Sequence, residues 1–235
     1  MKHIYSKYFG TSEKLLAVLI DPEKHSSSSI LSLINKVNQS KIDLIFVGSS
    51  LSSHSYNDFI LELKTLTKKP ILLFPGNSLQ LSSNVDALLN LSLISGRNPD
   101  LLIGEHVKSA MQIKKSKVEV IATAYILIDG GSKTSVEYMS NTQAIPRDKV
   151  DIAVATALAG EFLGMKCIYL EAGSGAIKSV PNTLISEVRK QSQLPIICGG
   201  GIKSKKEVVE KWTSGANIVV IGTAFEKNID ILKEF

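Results

Sequence analysis

The 235-residue sequence predicts a single α/β domain, residues 1–235, built as a closed (β/α)8 barrel of the TIM type. Three patterns indicate this fold. Eight short apolar runs are rich in branched residues, helix-period segments separate most of them, and the last three runs each end near glycine. The 44% apolar content is enough for one core.

The eight apolar runs have the length and composition of strands buried on both faces. They cover 15–20, 42–47, 71–74, 87–94, 118–127, 167–170, 196–198 and 218–221. Helix-period segments lie at 56–66, 100–113, 148–163, 183–190 and 205–212. Strands that alternate with helices around eight positions predict a closed parallel barrel.

Two connections depart from the regular pattern. The third crossover, 76–84, is short and rich in Ser and Asn, so the barrel is expected to be modified there by a reduced element. The fifth connection, 129–146, is long, polar and glycine-hinged before a helix opens at Arg147. Such loops over a barrel mouth are often lids.

Charge and hydropathy limit the partners. The net charge is +5, but the lysines are spread along the chain, which indicates a solvated surface and no nucleic-acid partner. The excess of positive charge also fits anionic substrates and transient contact with an anionic membrane surface. No strand-like apolar run approaches the roughly 18 residues of a membrane span, and the first residues lack a signal-peptide core. The expected location is the cytoplasm.

Cysteine and histidine usage argues against a soft-metal site. Cys167 and Cys198 lie inside apolar strand patterns and are predicted to be buried thiols. The four histidines have no ligand spacing, so zinc is not expected. A metal in this chain should be a hard cation held by oxygen atoms.

Residues that follow the strands converge at one mouth of a parallel barrel. Asp21 follows the first strand, and Ser50 follows the second. An aspartate before proline is also a common turn start. Paired with the Ser50 hydroxyl, however, the Asp21 carboxylate predicts a Mg²⁺ site, because Mg²⁺ takes one or two protein oxygens and fills its shell with water and phosphate.

The glycine turns after the last three strands predict an anion site. Backbone N–H groups of Gly173, Ser174 and Gly175, then Gly200 and Gly201, then Gly222 and Thr223, can cradle a phosphate. Glu171 immediately precedes the first of these turns and would repel the phosphate unless it faced the other end of the ligand. The predicted ligand therefore carries phosphate at one end and hydroxyls at the other.

Five segments together closely resemble the geranylgeranylglyceryl phosphate synthase family, whose bacterial relatives include heptaprenylglyceryl phosphate synthases. The segments are Tyr169-Leu-Glu-Ala-Gly-Ser-Gly-Ala176, Cys198-Gly-Gly-Gly-Ile202, Ile221-Gly-Thr-Ala-Phe-Glu226, Leu19-Ile-Asp-Pro22 and Gly130-Gly-Ser-Lys-Thr134. The resemblance runs from the first strand to the last. One departure is the turn 48–50, which has one glycine where relatives often have two.

The resemblance implies a Mg²⁺-dependent prenyltransferase with a modified TIM barrel, which joins a polyprenyl diphosphate to sn-glycerol 1-phosphate through an ether bond. It implies that Asp21 and Ser50 hold the metal. It further implies that Tyr169, Leu170, Glu171, Ala172, Gly173, Ser174 and Gly175 hold the glycerol phosphate, with Gly200, Gly201, Gly222 and Thr223 on its phosphate. Asp21 and Glu171 are then the catalytic residues, and a homo-oligomer is expected.

Three other functions remain open at this point. A heptaprenyl donor would leave the head-group residues unchanged and alter only the tail site. A phosphosugar-processing barrel would share the phosphate site but would work without Mg²⁺ or a lipid. A catalytically silent phosphate-binding barrel is disfavoured, because both Asp21 and Glu171 are present.

Overall fold

The computed structural model describes residues 3–52, 55–222 and 225. Eight parallel strands within these residues close into a barrel in the order β1 to β8, which confirms the predicted fold class. The strands are β1 Leu15–Ile20, β2 Leu44–Val47, β3 Ile71–Leu73, β4 Ala87–Leu93, β5 Glu119–Leu127, β6 Cys167–Glu171, β7 Ile196–Gly199 and β8 Ile218–Ile221.

Helices cover the outside of the barrel. They are α1 Ser27–Gln39, α2 Asn57–Leu66, α3 Glu105–Ser116, α4 Ser135–Ser140, α5 Val150–Phe162, α6 Asn182–Gln191 and α7 Lys205–Thr213. The sequence prediction named neither α1 nor α4. It also began the third helix at residue 100, where the structure has a separate π-helical turn, Asp100–Gly104.

Both missed helices begin with a capping box. In α1 the side chain of Ser26 accepts from the Ser29 N–H and that of Ser29 accepts from the Ser26 N–H. In α4 the same exchange joins Thr134 and Glu137. A reciprocal cap satisfies N–H groups that the first helical turn leaves unpaired, so short polar segments can still form helices.

Alternating strand residues build two apolar layers. Inward side chains such as Phe46, Leu89 and Tyr169 fill the barrel. Outward side chains such as Val47, Leu88 and Leu170 pack against the helices. Cys167 and Cys198 are buried free thiols, as predicted, and burial raises the pKa of each to about 12.

The amino-terminal segment packs against the inner layer. Ile4 and Phe9 are buried within that layer; the π-helical turn Tyr5–Phe9 begins directly after Ile4 and ends at Phe9. Glu119, at the start of β5, accepts the Ile4 N–H at 2.6 Å and the Tyr5 N–H at 3.1 Å. The carboxylate therefore fixes this segment at the amino ends of the strands, away from the mouth.

The third crossover is reduced, as predicted. Between β3 and β4, a stretch that is described throughout, its helical content is one 3-10 turn, Ser78–Gln80. This leaves the outer face of β4 less covered than the other strands. None of the described helices is both long and apolar enough to traverse a bilayer.

Candidate active site

A cavity of about 700 Å³ opens at the carboxyl ends of the strands. It unites most of the site residues predicted from the sequence. Those that line it are Asp21, Ser50, Tyr169, Glu171, Ser174, Gly175, Gly200, Gly201 and Gly222. Residues far apart along the chain meet here because every strand points its carboxyl end at the same mouth.

Three of the predicted residues are placed differently, and a fourth cannot be placed. Leu170 and Ala172 belong to the outer layer. These two and Gly173, all described, do not line the cavity. Thr223 lies outside the described residues. A substrate-binding role for any of the four stays a prediction.

Glu171 ends β6 with its side chain toward the cavity, only 6% exposed. Burial raises the pKa of its carboxyl to about 7, against the opposing effect of the Gly173 N–H and the nearby Tyr169 hydroxyl. The Gly173 N–H donates to Oε1 at 2.6 Å. A carboxyl with this pKa can hold or release a proton near neutral pH.

Three aromatic side chains, those of Phe74, Tyr125 and Tyr169, pack together in the cavity wall, and the two tyrosines lie near Glu171. Tyr169 is fully buried and its ring centroid is 5.4 Å from that of Tyr125 and 5.1 Å from that of Phe74. Among the described residues the Tyr169 hydroxyl has no hydrogen-bond partner of good geometry. A ligand hydroxyl at this position would satisfy it.

The glycine turns after β6 and β7 pack directly on each other. At Gly200, which has φ +81°, a Cβ would lie 2.3 Å from Glu171 Oε1 and 2.6 Å from the Gly173 nitrogen. The N–H groups of Ala172 and Gly173 already donate to Gly199 O and Glu171. A phosphate must therefore use the later residues of the turns, which are those that line the cavity.

Arg147 joins the loop after β5 to the loop after β6. Its guanidinium donates to Asp129 O at 2.9 Å and to Ser179 O at 2.8 Å. The first carbonyl begins the long fifth connection and the second lies in the loop after β6. Whether 129–146 closes as a lid stays a prediction.

Asp21 lies on the other side of the cavity and has two roles at once. Its Oδ1 accepts the Glu23 N–H at 3.1 Å, which caps the 3-10 turn Pro22–Lys24. The Lys24 ammonium lies 3.3 Å from Oδ2. The turn-forming role of an aspartate before proline is therefore real, and the carboxylate also attracts a cation.

The turn that carries Ser50 is held by a residue that the sequence analysis missed. Gln80 is fully buried; its amide donates to Ser49 O at 2.9 Å and accepts the Gly76 N–H at 2.8 Å. Gly48 must be glycine, because a Cβ would lie 1.8 Å from Phe74 O. The turns after β2 and β3 are thus locked together.

The cavity continues outside the barrel as an apolar trough. It runs down the outer face of β4, beside α3, where the third crossover leaves space. Its apolar lining includes Leu81, Leu88, Leu101 and Ile113. From the sequence, only the existence of a tail site was expected, and only through the family resemblance.

Polar groups in the trough wall pair with one another. His106 contacts Asn90 Oδ1 through Nδ1 and Ser92 Oγ through Nε2, each at 2.9 Å. Burial lowers the pKa of His106, so the neutral ring donates to Asn90 and accepts from Ser92. An apolar chain can pass this wall without removing a hydrogen-bond partner from these atoms.

Comparison with known proteins agrees with this geometry. A family model described as the PcrB family matches residues 10–235. The chain belongs to the PcrB family.

The chain is 50% identical over 222 residues to the geranylgeranylglyceryl phosphate synthase of Chitinophaga pinensis, which covers 94% of this chain and 88% of that protein. It is 48% identical to the Flavobacterium johnsoniae enzyme of the same name, over 92% of this chain and 89% of that one. The predicted family and its prenyltransferase class are confirmed.

The fold also matches that of a solved structure. The geranylgeranylglyceryl phosphate synthase of Thermoplasma acidophilum, in complex with its substrate sn-glycerol-1-phosphate, matches with a TM-score of 0.93 and 28% identity. The match covers 99% of this chain and 95% of that one. The PcrB-family barrel is therefore preserved over nearly the whole chain.

Proposed function

We propose that this PcrB-family chain transfers a prenyl group from a polyprenyl diphosphate, with geranylgeranyl diphosphate as the favoured donor, to sn-glycerol 1-phosphate. The single observation that carries this proposal is the cavity. Glycine turns and Glu171 lie on one side, oxygen donors lie on another, and an apolar trough leads away from both. Each part suits a different portion of the two substrates.

The acceptor would bind along β6 to β8. The turns with Ser174, Gly175 and Gly201 suit its phosphate, since their backbone can approach an anion closely. Glu171 suits its hydroxyls, because a buried carboxylate accepts strong hydrogen bonds. The Thermoplasma acidophilum relative, whose structure contains sn-glycerol-1-phosphate, supports this choice of acceptor.

The residues present fit a Mg²⁺ ion. Asp21 and Ser50 offer a carboxylate and a hydroxyl, the hard donors that Mg²⁺ prefers, and both line the cavity. The Lys24 ammonium at 3.3 Å indicates that Asp21 already attracts positive charge. Among the described residues no three His, Cys, Asp or Glu side chains form a metal cluster, so water and the diphosphate would complete the shell. When bound, Mg²⁺ would neutralise charge that develops on the diphosphate leaving group.

The chain's own groups then position the reaction. A glycerol hydroxyl oxygen forms a bond to the first carbon of the prenyl chain while the bond from that carbon to diphosphate breaks. Glu171 would orient the hydroxyl and accept its proton, a role that suits a pKa of about 7. Phe74 and Tyr125 line the same space, and a ring face turned to the allylic carbon would stabilise positive charge there.

The experiment that tests this function is a transfer assay. Purified protein is incubated with sn-glycerol 1-phosphate, radiolabelled geranylgeranyl diphosphate and Mg²⁺, and butanol-extractable label is counted. We expect label in the butanol phase only when all three are present, and none with EDTA. Turnover of a phosphosugar without Mg²⁺ would favour the phosphosugar alternative.

We further propose that the enzyme is a homo-oligomer that buries the outer face of α5. This helix is apolar on most sides, and its carboxyl end exposes 83% of Phe162 and 72% of Leu163. An apolar patch of this kind commonly marks an interface between proteins. The occupant we favour is a second copy of the same helix.

The mouth also suits transient contact with a membrane, and we propose that the enzyme works in the cytoplasm at such a surface. Large exposed apolar side chains follow several strands at the mouth: Leu51, Leu79, Tyr138, Met139 and Ile177. Exposed lysines lie on neighbouring loops: Lys24, Lys133, Lys178 and Lys203. Apolar contacts with added positive charge favour anionic lipid surfaces.

A further inference from the structure

A second cleft of about 450 Å³ lies at the far end of the trough. It shares three lining residues with the main cavity, namely Leu81, Leu88 and Ile113. These three side chains are therefore the partition between the two spaces.

Each side chain of the partition comes from a different element. Leu81 follows the 3-10 turn of the reduced crossover, Leu88 faces outward from β4, and Ile113 lies on α3. Leu81 and Leu88 are 7% and 3% exposed, and Ile113 is a partly buried residue that packs against the same outer layer. The five steps from Leu93 to Leu88 place the partition roughly 17 Å below the mouth.

The two spaces differ in character. The trough above the partition is bounded by apolar side chains and by polar atoms that pair with one another. The cleft below it is mainly polar, with Asn57, Ser82, Ser83, Gln112, Lys115 and Ser116 in its lining. An apolar tail is therefore accommodated above the partition and poorly accommodated below it.

We propose that Leu81, Leu88 and Ile113 end the donor site and set the longest prenyl chain that the enzyme uses. This inference rests on the proposed prenyltransferase function. Only three side chains line both spaces among the described residues, so removing part of one would join the trough to the cleft. Adding volume to one shortens the trough instead.

Ile113 is the best position to change, because it is only partly buried and a substitution there leaves the barrel core intact. We expect Ile113→Ala to raise the ratio of kcat/KM for a 35-carbon donor over a 20-carbon donor at least about tenfold. We expect Ile113→Phe to move the preference the other way, toward donors of ten and fifteen carbons. Leu81→Ala should repeat the effect of Ile113→Ala from the opposite side.

Met111→Ala is the matched control, since Met111 lies on the same helix but is 70% exposed to solvent. Its donor ratios should equal those of the wild type. Calorimetric binding of prenyl diphosphates without acceptor gives a second reading, which tests the partition even if the wild type transfers nothing. Donor ratios that are unchanged from the wild type in both Ile113 variants and in Leu81→Ala, in transfer and in binding, would overturn the inference. Absence of transfer together with a changed ratio of donor binding affinities would count only against the proposed function.

Discussion

Gly200 lies so close to Glu171 that a Cβ at position 200 would be 2.3 Å from Oε1 of the carboxylate. The contact joins the turn after β7 to the last residue of β6. It also explains how the buried carboxylate keeps one position: the Gly173 N–H donates to it from one turn, and Gly200 packs on it from the next. The proposed hydroxyl-binding and phosphate-binding ends of the acceptor site are therefore in direct contact, so a shift in one would displace the other.

Gly200→Ala should disrupt the packing of the turn after β7 against Glu171. The new methyl would meet Glu171 Oε1 and two backbone nitrogens within 2.8 Å. We expect glycerol phosphate affinity to fall at least about tenfold, since a shifted turn misplaces its N–H donors, each worth about 1 kcal/mol or more. Calorimetric titration measures the loss.

Gly164→Ala is the control for backbone strain alone. Gly164 has φ +82°, almost the value at Gly200, but a Cβ there would meet nothing within 4 Å. Both variants should lower Tm through the cost of the left-handed backbone, about 1 kcal/mol. Equal affinity losses in the two variants would contradict the contact argument.

The pKa of Glu171 predicts a pH dependence of stability. The unfolded carboxyl ionises near its ordinary value of 4.5, whereas burial keeps the folded one protonated to about 7. The folded state therefore binds more protons between these values, and the free energy of unfolding falls as the pH rises through this window, by about 3 kcal/mol in total. Above about pH 7 this contribution stays constant.

Urea unfolding of the unliganded protein from pH 4.5 to 8 measures the effect, with Glu171→Gln as the reference. The amide does not titrate, so the difference between the two proteins isolates Glu171. A difference that is flat across this range would show that the carboxyl is not perturbed in the way described.

The α5 face gives a prediction about assembly. Phe162→Glu places a charge on the most exposed part of the apolar patch, so a dimer formed there should dissociate to monomers. Light scattering after size exclusion gives the mass directly. Leu61→Glu on α2, where the leucine is 49% exposed, is the control and should leave the mass unchanged.

The rim of the mouth gives a prediction about lipid surfaces. Leu51→Ser with Leu79→Ser should reduce co-sedimentation with phosphatidylglycerol vesicles severalfold, because two exposed apolar contacts are lost. Turnover with a short, water-soluble donor should persist. Leu31→Ser on α1 serves as the surface control, and vesicle binding that is equal in all three proteins would argue against the membrane-contact proposal.

Sequence patterns were sufficient for the parts of the site that lie at strand ends. Glu171, Asp21 and the glycine turns follow apolar runs whose period marks them as strands, and barrel geometry brings their ends together. The predicted reduction of the third crossover rested on equally local signals, its short length and its Ser and Asn content.

Residues whose role depends on packing between elements were not predictable in this way. Gln80 lies in a polar segment that resembles a surface loop, yet its amide is buried between two turns. Ile113 belongs to an ordinary helix pattern, and only the missing neighbour helix makes it part of a trough. The serine run 26–29, which caps and begins α1, resembles a loop because its capping box uses serine in place of the more usual glutamate.

We propose that the two sides of one cavity bind different substrates. Glu171→Gln should weaken the binding of sn-glycerol 1-phosphate by about 1.5–3 kcal/mol for each charged hydrogen bond lost. Asp21→Asn should leave that affinity nearly unchanged, because the Asp21 carboxylate lies on the side proposed for the prenyl diphosphate. The same variant should abolish Mg²⁺-dependent transfer.

Calorimetric titration of sn-glycerol 1-phosphate into the wild type, Glu171→Gln and Asp21→Asn, at one pH above 7, distinguishes the two sides of the cavity. We expect a tenfold or greater loss of sn-glycerol 1-phosphate affinity, on the order of 1.5 kcal/mol, in Glu171→Gln only. Equal losses in the two variants, or a loss confined to Asp21→Asn, would contradict it.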